Sequence, residues 1–311
     1  MEVHPFRFGL QVATAPSRAA LAERARRAEG LGFSVLHLAD HLDEVLPPLP
    51  GLVTVAEATT TLRVGTLVVN SDLRHPVVLA REAAAVDLLS DGRLELGLGA
   101  GHAEPEYRSA GVPFDRAPVR IARLGEALTI VKGLLAGEEV TFSGRYHRVT
   151  GHRVHPLPVQ RPRPPVLVGG GGRLVLALAA READIVGFTG LGAAADAGGH
   201  HRVPSGFSPA SVDGQVAAVR AAAGDRAGDI ELHALVQAVA VTDDRGAAVG
   251  RLGRHFPTLT PTDLEATPYL LVGSVDGLVE ALQARRERFG ISYYSVRDEA
   301  LAPVVARLAG T

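Results

Sequence analysis

Short apolar, β-branched runs alternate with amphipathic stretches along the whole chain. Phe6–Val12 reads as a strand, and Ser17 is placed to cap a helix whose Ala20, Leu21, Ala25 and Ala28 recur at helical spacing until Gly30 and Gly32 stop it. Val35–Ala39 is a second strand, followed by the Pro-rich loop Pro47–Pro50, a helix near Leu52–Thr60 and a strand at Val64–Val69. Pro76 opens a helix to Leu89, Asp91-Gly92 makes a turn, and Leu94–Leu98 is a strand before the longer helix Pro118–Leu135. Strands at Val166–Gly169, Ile185–Phe188, Ile230–Val241 and Ile291–Val296 follow, with helices at Leu174–Arg181, Val212–Ala223 and Val275–Arg288 between them.

Strand then helix, repeated, calls for parallel pairing with right-handed crossovers. Eight such units in 311 residues favour a closed (β/α)8 TIM barrel over an open doubly wound sheet, with residues 1–311 as one domain. Two segments interrupt the rhythm. Glu139–Val149, with Ser143-Gly144 at its centre, reads as a hairpin outside the barrel, and Gly190–Pro209 reads as a long loop, either a lid or a disordered segment.

Composition narrows the chemistry. The chain has no cysteine, which excludes disulfides, thiolate metal sites and cysteine nucleophiles. Met1 to Arg7 lack an apolar signal region and no uncharged run reaches the ~20 residues that cross a bilayer, so a cytoplasmic protein off the membrane is expected. The formal charge is −2 with both signs interspersed, which leaves counterion-release binding to nucleic acid little to act on and points to a small-molecule partner. Lys132 is the only lysine, so an anion site must use arginine, histidine or backbone N–H groups.

Functional groups of a barrel sit where strands end. Asp40-His41 follows the second strand, where a carboxylate beside an imidazole could orient the ring and move a proton near neutral pH; the alternative is a capping aspartate and a loop histidine. Asn70, Ser71 and Asp72 end the third strand. Gly97, Gly99 and Gly101 alternate at the fourth, allowing a flat ligand or another backbone to come close and aiming His102 into the mouth. The third-glycine spacing of a dinucleotide fingerprint is missing. Val166–Val168 runs into Gly169–Gly172, then Arg173 and a helix, which is the form of an anion cradle, or of a tight turn packed on a neighbour. The histidines at 147, 152, 155, 200 and 201 lack the spacing of a zinc-binding helix, and no metal is expected.

Together these residues resemble the luciferase-like monooxygenase superfamily, and within it the coenzyme F420-dependent oxidoreductases. The marks are Phe8-Gly-Leu10, Leu38-Ala-Asp-His41, Arg63-Val-Gly-Thr66, Arg74-His75-Pro76, Leu88-Leu-Ser-Asp-Gly-Arg-Leu94, Gly97-Leu-Gly-Ala-Gly101, Glu106-Tyr107, Phe142-Ser-Gly144, Pro165 to Gly171 and Val272-Gly-Ser-Val275. The resemblance covers nearly the whole chain. It implies a deazaflavin F420 site in the barrel mouth, with hydride transfer to or from a small organic substrate. By position, Asp40 and His41 match a pair that contacts the deazaflavin and assists proton transfer, and Leu67-Val68 matches a non-prolyl cis peptide behind the ring. Ala100 and Gly101 match ring contacts, while Gly170, Gly171 and Gly172, with Arg173 beside them, match the phosphate cradle.

His102 stands where sugar-phosphate dehydrogenases of this family carry a catalytic glutamate, and their phosphate-binding lysines are absent, leaving Arg173 and Arg297. His41 or His102 is then the proton-handling group. The competing reading is a two-component monooxygenase that takes reduced FMN from a separate reductase. A lyase acting on a phosphorylated substrate and a non-catalytic flavin-binding relative are the readings from other classes. A homodimer, paired through the helix around Arg123–Leu135 and the one before it, is the expected assembly.

Overall fold

The computed structural model describes residues 4–42, 45–191, 206–256 and 259–311. Eight parallel strands alternate with helices in the expected (β/α)8 barrel class. Their residues are almost all buried, as in sheets covered on both faces, which is why they appear in sequence as continuous apolar runs. Packing divides the chain into two compact units, one of Met1–Gln11, Arg27–Val35 and Gly169–Thr311, the other of Val12–Arg26 and Leu36–Val168. Among the described residues no helix is long and apolar enough to cross a membrane.

In the first unit Ile291–Val296 lies between Arg7–Val12 and Glu231–Leu235, and Glu231–Leu235 continues to Ile185–Phe188, all parallel. Polar groups on these strands satisfy one another: Arg7 Nη1 meets Glu231 Oε2 at 2.7 Å over the Tyr293 ring, and His233 Nε2 lies 2.9 Å from Ser295 Oγ. The run Ile230–Val241, expected to be one strand, is two. It breaks after Leu235, and Ala238–Val241 pairs with Leu270–Gly273 in a separate parallel ribbon. Helices Arg245–His255 and Pro261–Ala266 fill the interval before that second strand.

In the second unit Leu94–Gly99 is bordered by Arg63–Thr66 and by Val166–Val168. The expected strand Val64–Val69 is interrupted at the cis peptide Leu67–Val68 and resumes as Val69–Asn70. Helix Pro76–Leu89 starts and stops as its proline and its turn predict. Helix Pro48–Ala58 begins inside the stretch expected to be a Pro-rich loop, because a first helical turn tolerates residues without an N–H. The hairpin forms from Val140–Ser143 and Arg148–His152, antiparallel. Helix Ala117–Leu135 turns Leu124, Leu128, Val131 and Leu135 into the core, so the apolar side expected to serve pairing is already used. Most of the expected lid Gly190–Pro209 lies outside the described residues.

The family mark Leu88–Leu94 and the residue before it act as a staple. Asp87 is fully buried and its carboxylate accepts from Val159 N at 2.7 Å, Gln160 N at 3.0 Å and Gln160 Nε2 at 2.6 Å. Arg93, four residues past Leu89, donates to the carbonyls of Ala56, Leu62 and Ser90. Asp87 thus ties in a remote loop and Arg93 ties together helix and strand ends.

Candidate active site

The strand ends of the second unit converge on His41. Its Nδ1 lies 2.6 Å from Glu106 Oε1, and the other oxygen of Glu106 accepts the Leu42 N–H at 3.1 Å. Glu106 comes from the short helix Glu104–Ser109 and its side chain is 9% exposed, whereas that of His41 is 34% exposed. The imidazole is therefore fixed from behind and open in front. His102 meets it edge-on, with ring centroids 5.6 Å apart.

Asp40 does not orient His41. Its buried carboxylate is held by both terminal nitrogens of Arg74, one at 3.1 Å and one in closer contact, and accepts the Asn70 N–H at 2.9 Å. A bidentate fork of this kind fixes geometry and neutralises charge together. The carboxylate beside the imidazole is Glu106, 65 positions along the chain. Asn70 Oδ1 lies 3.0 Å from the Tyr107 hydroxyl, which is also 3.2 Å from Asp72 Oδ2. Burial raises the pKa of Tyr107, and the Asp72 charge adds to it. Burial likewise raises that of Asp72, against the opposing pull of Arg123, whose Nε is 3.0 Å away.

The alternating glycines are explained by close approach of the protein's own atoms. A Cβ at Gly97 would lie 2.0 Å from Thr66 O, and one at Gly99 would lie 2.6 Å from a Val68 methyl. Gly101 has φ +70°, and a Cβ there would strike the Tyr107 hydroxyl at 1.9 Å. The Leu67–Val68 peptide behind these glycines is cis, at the position the resemblance implies. Asp40, His41, Leu67, Val68, Ala100, Gly101 and His102 thus all belong to one unit, with Glu106, Arg74 and Tyr107 added by the structure.

Glu126 is the polar anchor of the hairpin on this unit. Glu126 accepts the N–H groups of Arg145, Tyr146 and His147 at 2.7, 2.9 and 2.9 Å. The His147 ring meets His75 edge-on, centroids 5.9 Å apart. Burial by itself raises the Glu126 pKa, but the three N–H bonds together outweigh it and hold the carboxyl below its usual value. Its anchoring is therefore present above the ordinary glutamate range and is lost as pH falls through the lowered value. Amide resonances of residues 145–147 should titrate together below the ordinary glutamate pKa, and the transition should vanish in Glu126→Gln; titration at or above the ordinary value would contradict this.

Strand Val166–Gly170 passes into helix Arg173–Glu182, whose N-cap is Gly172 with no side-chain cap. Gly170 and Gly171 are hemmed in, since a Cβ would lie 2.4 Å from a Val175 methyl and 2.3 Å from Leu191 O respectively. At Gly172 a Cβ would meet nothing within 4 Å. The helix start is thus bare and open, with exposed Arg173 making no ion pair among the described residues. Among those residues no three His, Asp or Glu side chains gather as a metal site would require.

Comparison with known proteins bears on this arrangement. The model of the family described as Luciferase-like monooxygenase matches residues 2–292. An F420-dependent glucose-6-phosphate dehydrogenase from Microbacterium testaceum is 33% identical over 191 residues, which are 58% of this chain and 55% of that protein. The chain spans about half the length of the curated relatives it matches. Among solved structures, the coenzyme F420-dependent tetrahydromethanopterin reductase of Methanopyrus kandleri aligns with TM-score 0.77 at 18% identity, covering 97% of both chains. A monooxygenase from Streptomyces bottropensis aligns with TM-score 0.71 at 24% identity, again over 97% of both. At these identities the structural likenesses establish the barrel fold alone.

Proposed function

The chain belongs to the luciferase-like monooxygenase family, and from that premise we propose that it is an F420-dependent oxidoreductase, in which hydride passes between the deazaflavin and a small organic substrate. The observation that carries the proposal is the pairing of His41 with Glu106, which leaves one imidazole nitrogen free at the end of a barrel strand. When bound, the coenzyme supplies a ring carbon that takes or gives the hydride.

The protein's own part is proton transfer and positioning. With the Glu106 carboxylate accepting from Nδ1–H, the neutral imidazole presents a lone pair at Nε2. In the oxidative direction Nε2 takes the hydroxyl proton of the substrate as its carbon loses hydride; in the reductive direction the imidazolium returns that proton to the carbonyl oxygen. Asp40 holds Arg74 and the Asn70 backbone and is assigned a positioning role, and Leu67, Val68, Ala100 and Gly101 are assigned to the ring's surroundings. His102 is assigned to the substrate side of His41.

For the coenzyme phosphate the residues present fit, because Gly172 leaves room for an oxyanion at an uncapped helix start next to Arg173, where the helix dipole favours negative charge. Gly172→Asp separates binding from folding. Aspartate is a preferred N-cap, so the variant should melt no lower than the parent, while its carboxylate repels the phosphate and should weaken F420 binding at least tenfold. The reading also carries a flavin or F420 reductase as a partner, a cytoplasmic location, and a homodimer, for which Val78, Leu88 and Leu89, all exposed on one helix, offer apolar surface.

Titration with F420, followed by its fluorescence, and anaerobically with reduced FMN, followed by absorbance, tests the proposal. Tight F420 binding that Gly172→Asp weakens is the expected result. Tight reduced FMN without F420 would transfer the protein to the monooxygenases, and binding of neither would overturn the redox reading.

A further inference from the structure

A cavity of about 320 Å³ opens within the first unit at the N-terminal ends of Arg7–Val12, Glu231–Leu235 and Ile291–Val296. Its lining includes none of the residues assigned to the candidate active site. The volume is in the range of small-molecule sites, and Val219 and Leu232 give it apolar walls. Its polar lining is cationic. Arg220, from the last turn of helix Pro209–Ala223, and Arg286, from the last turn of helix Val275–Phe289, both border it while half-buried.

Both guanidinium groups are held in place and keep donors to spare. Arg286 lies 4.0 Å over the Phe6 ring and donates one bond to Thr311 O at 2.8 Å. Arg220 donates one bond to Phe289 O at 3.3 Å. A guanidinium has five N–H donors, so most of each fork is uncommitted. His4 contributes a buried Nε2 without a partner. The one carboxylate in the lining, Glu287, is exposed and pairs with neither arginine. Part of the arginines' charge offsets the negative ends of the two helices they terminate, so a ligand must bring its own negative group to use the spare donors.

We propose that this cavity binds a small organic anion, a carboxylate on a short branched apolar body, with the carboxylate between Arg220 and Arg286 and the body against Val219 and Leu232. Geometry of this type favours a planar, two-oxygen acceptor over a neutral amide. The proposal is independent of the redox reading.

Calorimetric titration of the purified chain with isovalerate tests it, with isovaleramide as the neutral match in shape. The expected result is saturable one-to-one binding of isovalerate at millimolar concentrations, at least tenfold weaker binding of the amide, and at least tenfold loss in Arg220→Gln. Should Arg220→Gln fail to fold, Ala227→Phe, which fills the cavity without removing a charge, is expected to abolish the signal. No saturable binding, equal binding of acid and amide, or binding that survives in a folded variant of either kind would overturn the proposal.

Discussion

Replacement of His41 by alanine is expected to lower kcat/KM by about a hundred- to ten-thousandfold, the range in which a positioned acid–base group contributes. The imidazole is the group with one nitrogen fixed 2.6 Å from a carboxylate and its open side toward the mouth of its unit. Glu106→Gln should cost about 10- to 100-fold, because Glu106 acts only through the ring it orients. The loss should fall on kcat more than on KM. A structural role would not predict the second readout: nitrogen NMR of the neutral parent should show the tautomer protonated at Nδ1, and the glutamine variant should show a mixture. His102→Asn should cost less than His41→Ala. A His41→Ala variant within a few-fold of the parent, or a larger loss from His102→Asn, would move the proton to His102.

Asp87→Ala should destabilise the protein by about 3–5 kcal/mol, the scale on which removing one partner from a buried ionic hydrogen-bond network is felt. The change strips the carboxylate from Val159 N, Gln160 N and Gln160 Nε2, and Gln160 Nε2 keeps a second acceptor in the Leu94 carbonyl at 2.8 Å. Asp87→Asn keeps the shape and one acceptor oxygen, and should lose less. Urea unfolding measures both as a lower midpoint at unchanged slope. Activity of the folded fraction should be unaltered, since the staple touches no group of the candidate site. A loss under about 1 kcal/mol for the alanine variant would mean that the loop at 158–160 is held by other contacts.

Much of the architecture was legible because strand and helix periods differ and prolines mark helix starts. Pro76 and the Asp91-Gly92 turn bracketed one helix correctly. Continuous apolar runs were less informative: Ile230–Val241 looked like one strand, and its break after Leu235 depends on pairing with Leu270–Gly273, which no local pattern encodes. The site was half legible. Asp40 and His41 suggested a pair by adjacency, yet neighbouring side chains on extended backbone point to opposite sides, so each finds a remote partner instead. Those partners, Arg74 and Glu106, were visible only as family marks and not as ligands of particular atoms. The glycines at 97, 99 and 101 signalled close approach correctly, and the structure supplies what approaches: Thr66, Val68 and Tyr107.

The way Glu126 holds the hairpin has a consequence for engineering. It grips three main-chain amides, so its own hold does not depend on which side chains stand at 145–147, although Tyr146 also lies under Arg123 and His147 against His75. Any residue with an amide hydrogen satisfies it, and proline alone is barred. Gly144 is the fixed point, because a Cβ there would lie 2.4 Å from the Glu126 carboxyl. Position 145 can therefore be varied in a library while the loop stays seated, whereas Tyr146 and His147 also pack on Arg123 and His75.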